Sequence, residues 1–255
     1  MLNRRRVLFG GLGGLGALAL GGCNQIGNSR AGQNALQAGE DATMFVQRLL
    51  LRPQTLAPEF PKNAISKDFK ANGTTDPGTD VYKQLVAENF ASYRLAVGGL
   101  VEHPFQISLD ELRALPARTQ ITRHDCVEGW SCIGQWTGAP LSQLLQRAGL
   151  KPQARYVVLR CFDSMDSGDL DGSQYYESVD LVDAYHPQTI LAYAMNGAPL
   201  SVAHGAPLRL RVERQLGYKQ PKYLRAIEVV DSFAAINGGH GGYWEDQGYD
   251  WYAGL

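Results

Sequence analysis

Hydrophobic positions recur along this chain with two periods, and the pattern changes character near residue 80. The stretch "EDATMFVQRLLL" places Met44, Val46, Leu49 and Leu50 as one face of a helix would, and Pro53 ends it. From Thr55 to Thr79 the pattern gives way to turn signals, Asn72-Gly73 and Asp76-Pro77-Gly78, which read as an arm wrapped on the domain that follows. Short elements then mix. "VYKQLVAENF" reads as a helix or turn, and "YRLAVGGLV" alternates as a strand into a Gly-Gly turn. Ser108 and Glu111 form a capping box that opens the helix "SLDELRAL", and Pro116 stops it. "RTQITRHDC" is a strand, "PLSQLLQRAGL" a helix ending at Gly149, "RYVVLRCF" a buried strand and "LVDAY" a short helix. The remaining strands are "TILAYAMNGAPL", "PLRLRVER" and "LRAIEVVDSF". There is no regular βαβ rhythm and no internal repeat. The pattern predicts an α+β fold, mixed sheets with peripheral helices.

The first residues stand outside that pattern. Arg4 to Arg6 precede an apolar Gly/Leu/Ala run to Leu20, too short and glycine-rich to span a bilayer. Paired arginines before a short apolar run predict a twin-arginine export signal. Leu20-Gly21-Gly22-Cys23 resembles a lipobox, with cleavage before Cys23 and lipid on its thiol. The expected organisation is an export signal at 1–22, a flexible spacer and arm at 23–79, a catalytic domain at 80–232 and a Gly/aromatic tail at 233–255. The spacer expectation rests on the Gly/Asn/Gln/Ser-rich run from Asn24 to Ala38. The net charge of −1, without a basic block beyond the N-terminus, gives no nucleic-acid footprint. The "GGLGGLG" run lies inside the signal and is no phosphate loop.

Candidate chemistry concentrates in "RHDCVEGWSCIGQWTG", residues 123–138, which holds two of the chain's 4 cysteines. Cys126 and Cys132 admit four readings. They could form a disulfide suited to an oxidising compartment, or a zinc site with His124, although the spacing is unusual and no fourth ligand lies nearby. One could be a nucleophile served by His124, His186 or His204, or a thiolate ligand to a cofactor metal. Cys161, ending an apolar strand, reads as a buried thiol. Residue chemistry leaves these readings open.

The same stretch carries a family resemblance. Cys126, Val127, Glu128, Trp130, Ser131, Trp136, Gly138, Pro140 and Leu141 match the cofactor-cysteine segment of the sulfite-oxidase family of molybdopterin enzymes. "HPQTILAYAMNGAPLSVAHGAPLRLRVERQLGYKQPKYLRAIEVVD" resembles the same family downstream, in the manner of its bacterial periplasmic branch that includes the catalytic subunit of the methionine-sulfoxide reductase system. The resemblance implies a sulfite-oxidase-type molybdopterin-binding fold and one molybdenum-molybdopterin cofactor (Mo-MPT). Cys126 would be the metal's protein thiolate and Cys132 a bystander. It further implies pterin contacts at Asn89, Ser92, Tyr93, Cys161, His204 and Arg209, and a phosphate loop at Gln220, Pro221 and Lys222. Arg123 and Lys219 join that anionic environment as candidates. Tyr176 is expected near the metal's oxygen as a catalytic residue.

The reaction so implied is two-electron oxygen-atom transfer: reduction of an S-oxide or N-oxide, or oxidation of sulfite. The acidic "CFDSMDSGDLDG" disfavours sulfite, since like charges repel. The sequence has no haem-attachment Cys-x-x-Cys-His, so a membrane haem protein or a soluble cytochrome is the expected redox partner. With only 233–255 beyond the core, a monomer is expected, without the dimerisation domain of animal and plant relatives. Two readings of another class compete: a non-catalytic exported lipoprotein binding module on the same fold, and a thiol enzyme using Cys126.

Overall fold

The computed structural model describes residues 29–165 and 174–255 and divides the chain into two units, 1–51 and 52–255. In the first, helix α1 spans Arg30–Leu50, with the Ser29 hydroxyl accepting from the Gly32 amide at 3.0 Å. This corrects the flexible-spacer expectation for Arg30 to Ala38. Ala31, Ala35, Leu36, Gln37 and Ala38 are strong helix formers, and Ser29 supplies the cap. The export signal, Cys23 and the acidic residues Asp166, Asp169 and Asp171 lie outside the described residues.

The second unit holds two five-stranded sheets. One is mixed, in the order β2-β1-β10-β5-β6: β1 Arg94–Gly99, β2 Phe105–Ser108, β5 Tyr156–Ser164, β6 Gln174–Asp180 and β10 Leu224–Val230. Here β1 runs parallel to β10, and the other pairs are antiparallel. The other sheet is antiparallel, in the order β3-β4-β7-β8 with β9 also on β7: β3 Arg118–Asp125, β4 Ser131–Pro140, β7 Ile190–Met195, β8 Ala198–Pro199 and β9 Arg209–Arg211. Helices α2 Asp80–Ala87, α3 Leu109–Ala114, α4 Leu141–Ala148 and α5 Leu181–Ala184 complete the unit. The capping box of Ser108 and Glu111 is formed as the sequence predicts.

One apolar core joins the sheets. Leu95 and Val97 of β1, Leu159 of β5, Leu191 of β7 and Leu210 of β9 pack with Leu141, Leu144 and Leu145 of α4. A smaller cluster gathers Trp136, Ile190, Ala192 and Met195, with Phe69 of the arm packed against it. The arm follows β3 and β4: the Phe60 amide donates to Ile121 O at 2.9 Å and the Ser66 amide to Ile133 O at 3.0 Å. The patterning did not reveal β2, β4 or β6. β2 is 4 residues long, β4 carries two glycines, and β6 reads as polar because it buries Glu177 and Ser178 against the tail.

Strands β4 and β7 approach so closely at the register shift beside Gly138 that a Cβ there would fall on the Leu191 carbonyl. Gly138→Ala is therefore expected to destabilise the fold by about 1–3 kcal/mol, the usual cost of overpacking, measured as a shift of the urea midpoint at unchanged m-value.

Candidate active site

The β3–β4 ladder runs to its last rung, Asp125 opposite Ser131, and Cys126 falls one step beyond it. A tight turn closes there: the Cys126 amide donates to Trp130 O at 2.9 Å and the Gly129 amide to Cys126 O at 3.0 Å. Asp125 accepts from the Ser131 hydroxyl at 2.6 Å and from Arg123 Nε at 2.9 Å, fixing the base of the turn. The Cys126 thiol is buried, which pushes its pKa up, and it meets the Asn72 amide nitrogen at 3.9 Å.

Cys126, Cys132 and Cys161 are all free thiols, so the disulfide reading fails. Among the described residues no three His, Cys, Asp or Glu side chains converge, and the zinc reading fails with it. Nor does a histidine ring hydrogen-bond the Cys126 thiol among the described residues. His124 instead accepts at Nδ1 from Arg211 at 2.9 Å; burial, then Arg211, hold it neutral by lowering its pKa well below the usual value.

Cys126 lines a cavity of about 150 Å³ whose other residues form two connected sets. The first is polar. Lys222 Nζ donates to the carbonyls of Asn72 at 2.8 Å, of Ala203 at 3.1 Å and of Thr74. Burial, then Arg209, pull its pKa down to about 7. Arg209 donates to His204 O at 3.1 Å and Gln220 O at 3.4 Å, while its Nε has no partner. Burial, then Arg211, lower its pKa to about 9. Neither cation pairs with a carboxylate among the described residues. Among the described residues Asp163 Oδ1, in the same lining, is also buried without a hydrogen-bond partner. The second set is aromatic: Tyr175, Tyr218, Trp244 and Tyr249.

These residues fit the implied cofactor. Two buried cations without counter-charges and an unsatisfied guanidinium N–H suit a phosphate-bearing ligand. A buried thiol in the same cavity is the soft donor that molybdenum takes.

The structure divides the sequence-predicted site residues. Cys126, Arg209, Gln220, Pro221 and Lys222 line the cavity together. His204 does not line it; its ring bonds Ser201 and the Phe69 carbonyl, and its own carbonyl holds Arg209. Asn89 and Ser92 are exposed just beyond α2, with the Ser92 hydroxyl donating to Glu88. Tyr93 is in the core, donating to Leu224 O at 2.7 Å. Cys161 is likewise core, sharing its strand face with Asp163, the residue that does reach the cavity. Tyr176 is turned away and donates to Asp246 at 2.5 Å; β6 alternation puts its neighbour Tyr175 on the cavity instead. Lys219 is neutralised by Glu177 and Glu245, each at 2.5 Å, and Arg123 is half-exposed beside Asp125. The sequence reading missed Asn72, Thr74, Asp163, Tyr175, Tyr218, Trp244 and Tyr249. For Asn72 the available signal was the Asn72-Gly73 turn, which marks a bend and not a ligand.

The thiol, the unpaired cations and the two-sheet frame define a molybdopterin oxidoreductase. The chain belongs to the family described as the oxidoreductase molybdopterin binding domain, whose model matches residues 82–235. It is 41% identical over 243 residues to the "Putative protein-methionine-sulfoxide reductase subunit YedZ1" of Azospira oryzae, covering 95% of this chain and 84% of that one. It is 35% identical over 161 residues to the protein-methionine-sulfoxide reductase catalytic subunit MsrP of Xanthomonas axonopodis pv. citri, covering 60% of this chain and 49% of that one. It thus spans about half the length of that MsrP relative. A solved structure, the sulfane dehydrogenase SoxCD of Paracoccus pantotrophus, matches 55% of this chain and 38% of its own at 26% identity, with a TM-score of 0.49. The protein is a molybdopterin-dependent oxidoreductase, and its cofactor is molybdenum-molybdopterin.

Burial raises Asp163 to a pKa of about 6. Between about pH 4 and 6 the folded protein then keeps a proton that the unfolded chain has lost, and stability falls as pH rises through that window. The stability of wild type relative to Asp163→Asn, measured on the apoprotein by urea unfolding, is expected to fall by up to about 3 kcal/mol between pH 4 and 6.5 and to change little above it.

Proposed function

We propose that the protein reduces S-oxides, with methionine sulfoxide as the substrate class, after export to the periplasm. The observation that carries this reading is the division of the cavity lining. With Arg209 and Lys222 assigned to the pterin phosphate, the charged side chains left in the lining are Glu128 and Asp163, beside the aromatic Tyr175, Tyr218, Trp244 and Tyr249. Such a lining suits a neutral, sulfur-bearing side chain and repels a sulfite anion. The printed names of the YedZ1 and MsrP relatives support it.

Reduction of an S-oxide takes two electrons and two protons and releases the oxygen as water. When bound, the molybdenum-molybdopterin cofactor supplies two-electron oxygen-atom exchange. Cys126 would hold the metal, with Asn72 beside its thiol. Arg209, Lys222 and the Gln220–Lys222 loop would hold the pterin and its phosphate. Asp163 is the lining carboxyl able to hold a proton, since burial keeps it protonated to about pH 6. Electrons would come from a membrane haem protein or a soluble cytochrome.

The twin-arginine pattern at Arg4 to Arg6 and the Leu20–Cys23 lipobox support export followed by anchoring through lipidated Cys23.

Three experiments test these readings. Purified, cofactor-loaded protein is assayed with dyes in both directions, and wild type should reduce methionine sulfoxide and leave sulfite untouched; sulfite oxidation alone would overturn the S-oxide reading. In metal analysis, Cys126→Ala should lose the equimolar molybdenum that Cys132→Ala keeps. In cell fractionation, replacing Arg4 to Arg6 by lysine should leave the protein in the cytoplasm, and Cys23→Ser should release it from the membrane fraction.

A further inference from the structure

We propose that Trp244 and Tyr249 of the C-terminal tail form a substrate subsite of this cavity, one that holds the apolar flank of the S-oxide. The inference rests on the S-oxide reading and deepens it by assigning the residues that select among S-oxides. Both rings line the cavity that Cys126 lines, yet both lie beyond residues 82–235, the part of the chain that matches the family.

The two rings form a built surface. They stack with centroids 5.3 Å apart and planes at 28°. Tyr218 meets Tyr249 edge-on at 5.3 Å, and Tyr243 meets Trp244 edge-on at 5.4 Å. Tyr175 stacks on Tyr243 at 5.9 Å, so the aromatic chain runs from the cavity floor on β6 out to the tail. Yet Tyr249 remains 39% exposed. The fold does not consume this ring's area, which is left for a ligand.

The surface is also held in place on both sides. Glu245 is buried against Lys219 at 2.5 Å, and Asp246 accepts from Tyr176 Oη at 2.5 Å and from the Gly238 and His240 amides at 3.0 Å. Past Tyr249, Tyr218 Oη donates to Asp250 O at 2.7 Å and the Leu216 amide to Ala253 O at 2.9 Å. Gly242 lies so close to Glu245 and Glu177 that no side chain fits there. A wall fixed this way is pre-organised for binding.

Its chemistry selects. Aromatic faces attract thioether-like sulfur and polarised C–H groups and repel anions. An S-oxide flanked by an apolar group would lay that group on the rings. An adjoining open groove shares Val127, Tyr218 and Tyr249 with the cavity and continues to Tyr252, which gives a longer flank room.

The test compares two substrates of the holoenzyme, dimethyl sulfoxide and methyl p-tolyl sulfoxide, in wild type, Tyr249→Ala, Tyr249→Phe and Trp244→Ala. Wild type should prefer the aryl substrate. Tyr249→Ala should reduce the aryl-to-dimethyl ratio of kcat/KM by about ten-fold, mainly through KM for the aryl substrate, and Tyr249→Phe should restore it. The exposed Tyr249 keeps the test open should Trp244→Ala fail to fold. Equal losses on both substrates, or none, in Tyr249→Ala would overturn the subsite alone. A wild type that reduces neither substrate would overturn the S-oxide reading and the subsite with it.

Discussion

Two guanidinium groups share one indole. Trp136, fully buried on β4, has Arg209 at 4.9 Å and Arg211 at 4.4 Å from its ring. Arg211 is neutralised by Glu213 at 2.6 Å, and Gln120 adds a further hydrogen bond to that carboxylate. Among the described residues Arg209 hydrogen-bonds to carbonyls and forms no ion pair. A buried charge without a counter-ion is costly, and proteins keep one where a ligand completes it. The site is organised around this asymmetry. The two arginines are two residues apart on β9, so strand geometry directs both to one face, one for the fold and one for the anion.

The same frame explains why the cavity can be made from distant parts of the sequence. Asn72 comes from the arm, Cys126 from the end of a ladder, Asp163 from β5, Gln220 and Lys222 from the loop before β10, and Tyr249 from the tail. Lys222 ties two of these together by donating to Asn72 and Ala203. Lys222 and Arg209 are thus each held by backbone carbonyls of other segments, which fixes the polar side of the cavity.

Much of this was legible in the sequence, unevenly and for physical reasons. Helices α3 and α4 declared themselves through a capping box, a terminating proline and an amphipathic repeat. Cys126 and the Gln220–Lys222 loop lay in motifs long enough to be specific. The predicted residues that do not line the cavity share one feature: their placement depends on face and register. Tyr176 was preferred over Tyr175 because β6 did not read as a strand, and without a strand there is no parity to say which tyrosine points inward. Glu177 disguised that strand, since its burial is possible only because Lys219 and the tail meet it. Asn89 came from the family resemblance, while Asn72 read only as a turn asparagine, and it is the path of the arm across β3 and β4 that carries Asn72 to the cavity. Cys161 and Asp163 lie on one strand face, and sequence could not say which of the two stands at the cavity's edge.

The register of β3 and β4 settles the fate of the two cysteines in a further sense. Cys132 sits on a rung opposite His124 with its thiol on the Asp68 carbonyl, while Cys126 lies past the last rung with its thiol on Asn72. Each thiol is committed to a different stretch of the arm. Joining them would mean undoing the Asp125–Ser131 rung and both arm contacts, so the sheet acts as a barrier to that one disulfide. The hydrogen-bonding pattern itself thus keeps the two sulfurs of one hairpin from pairing with each other.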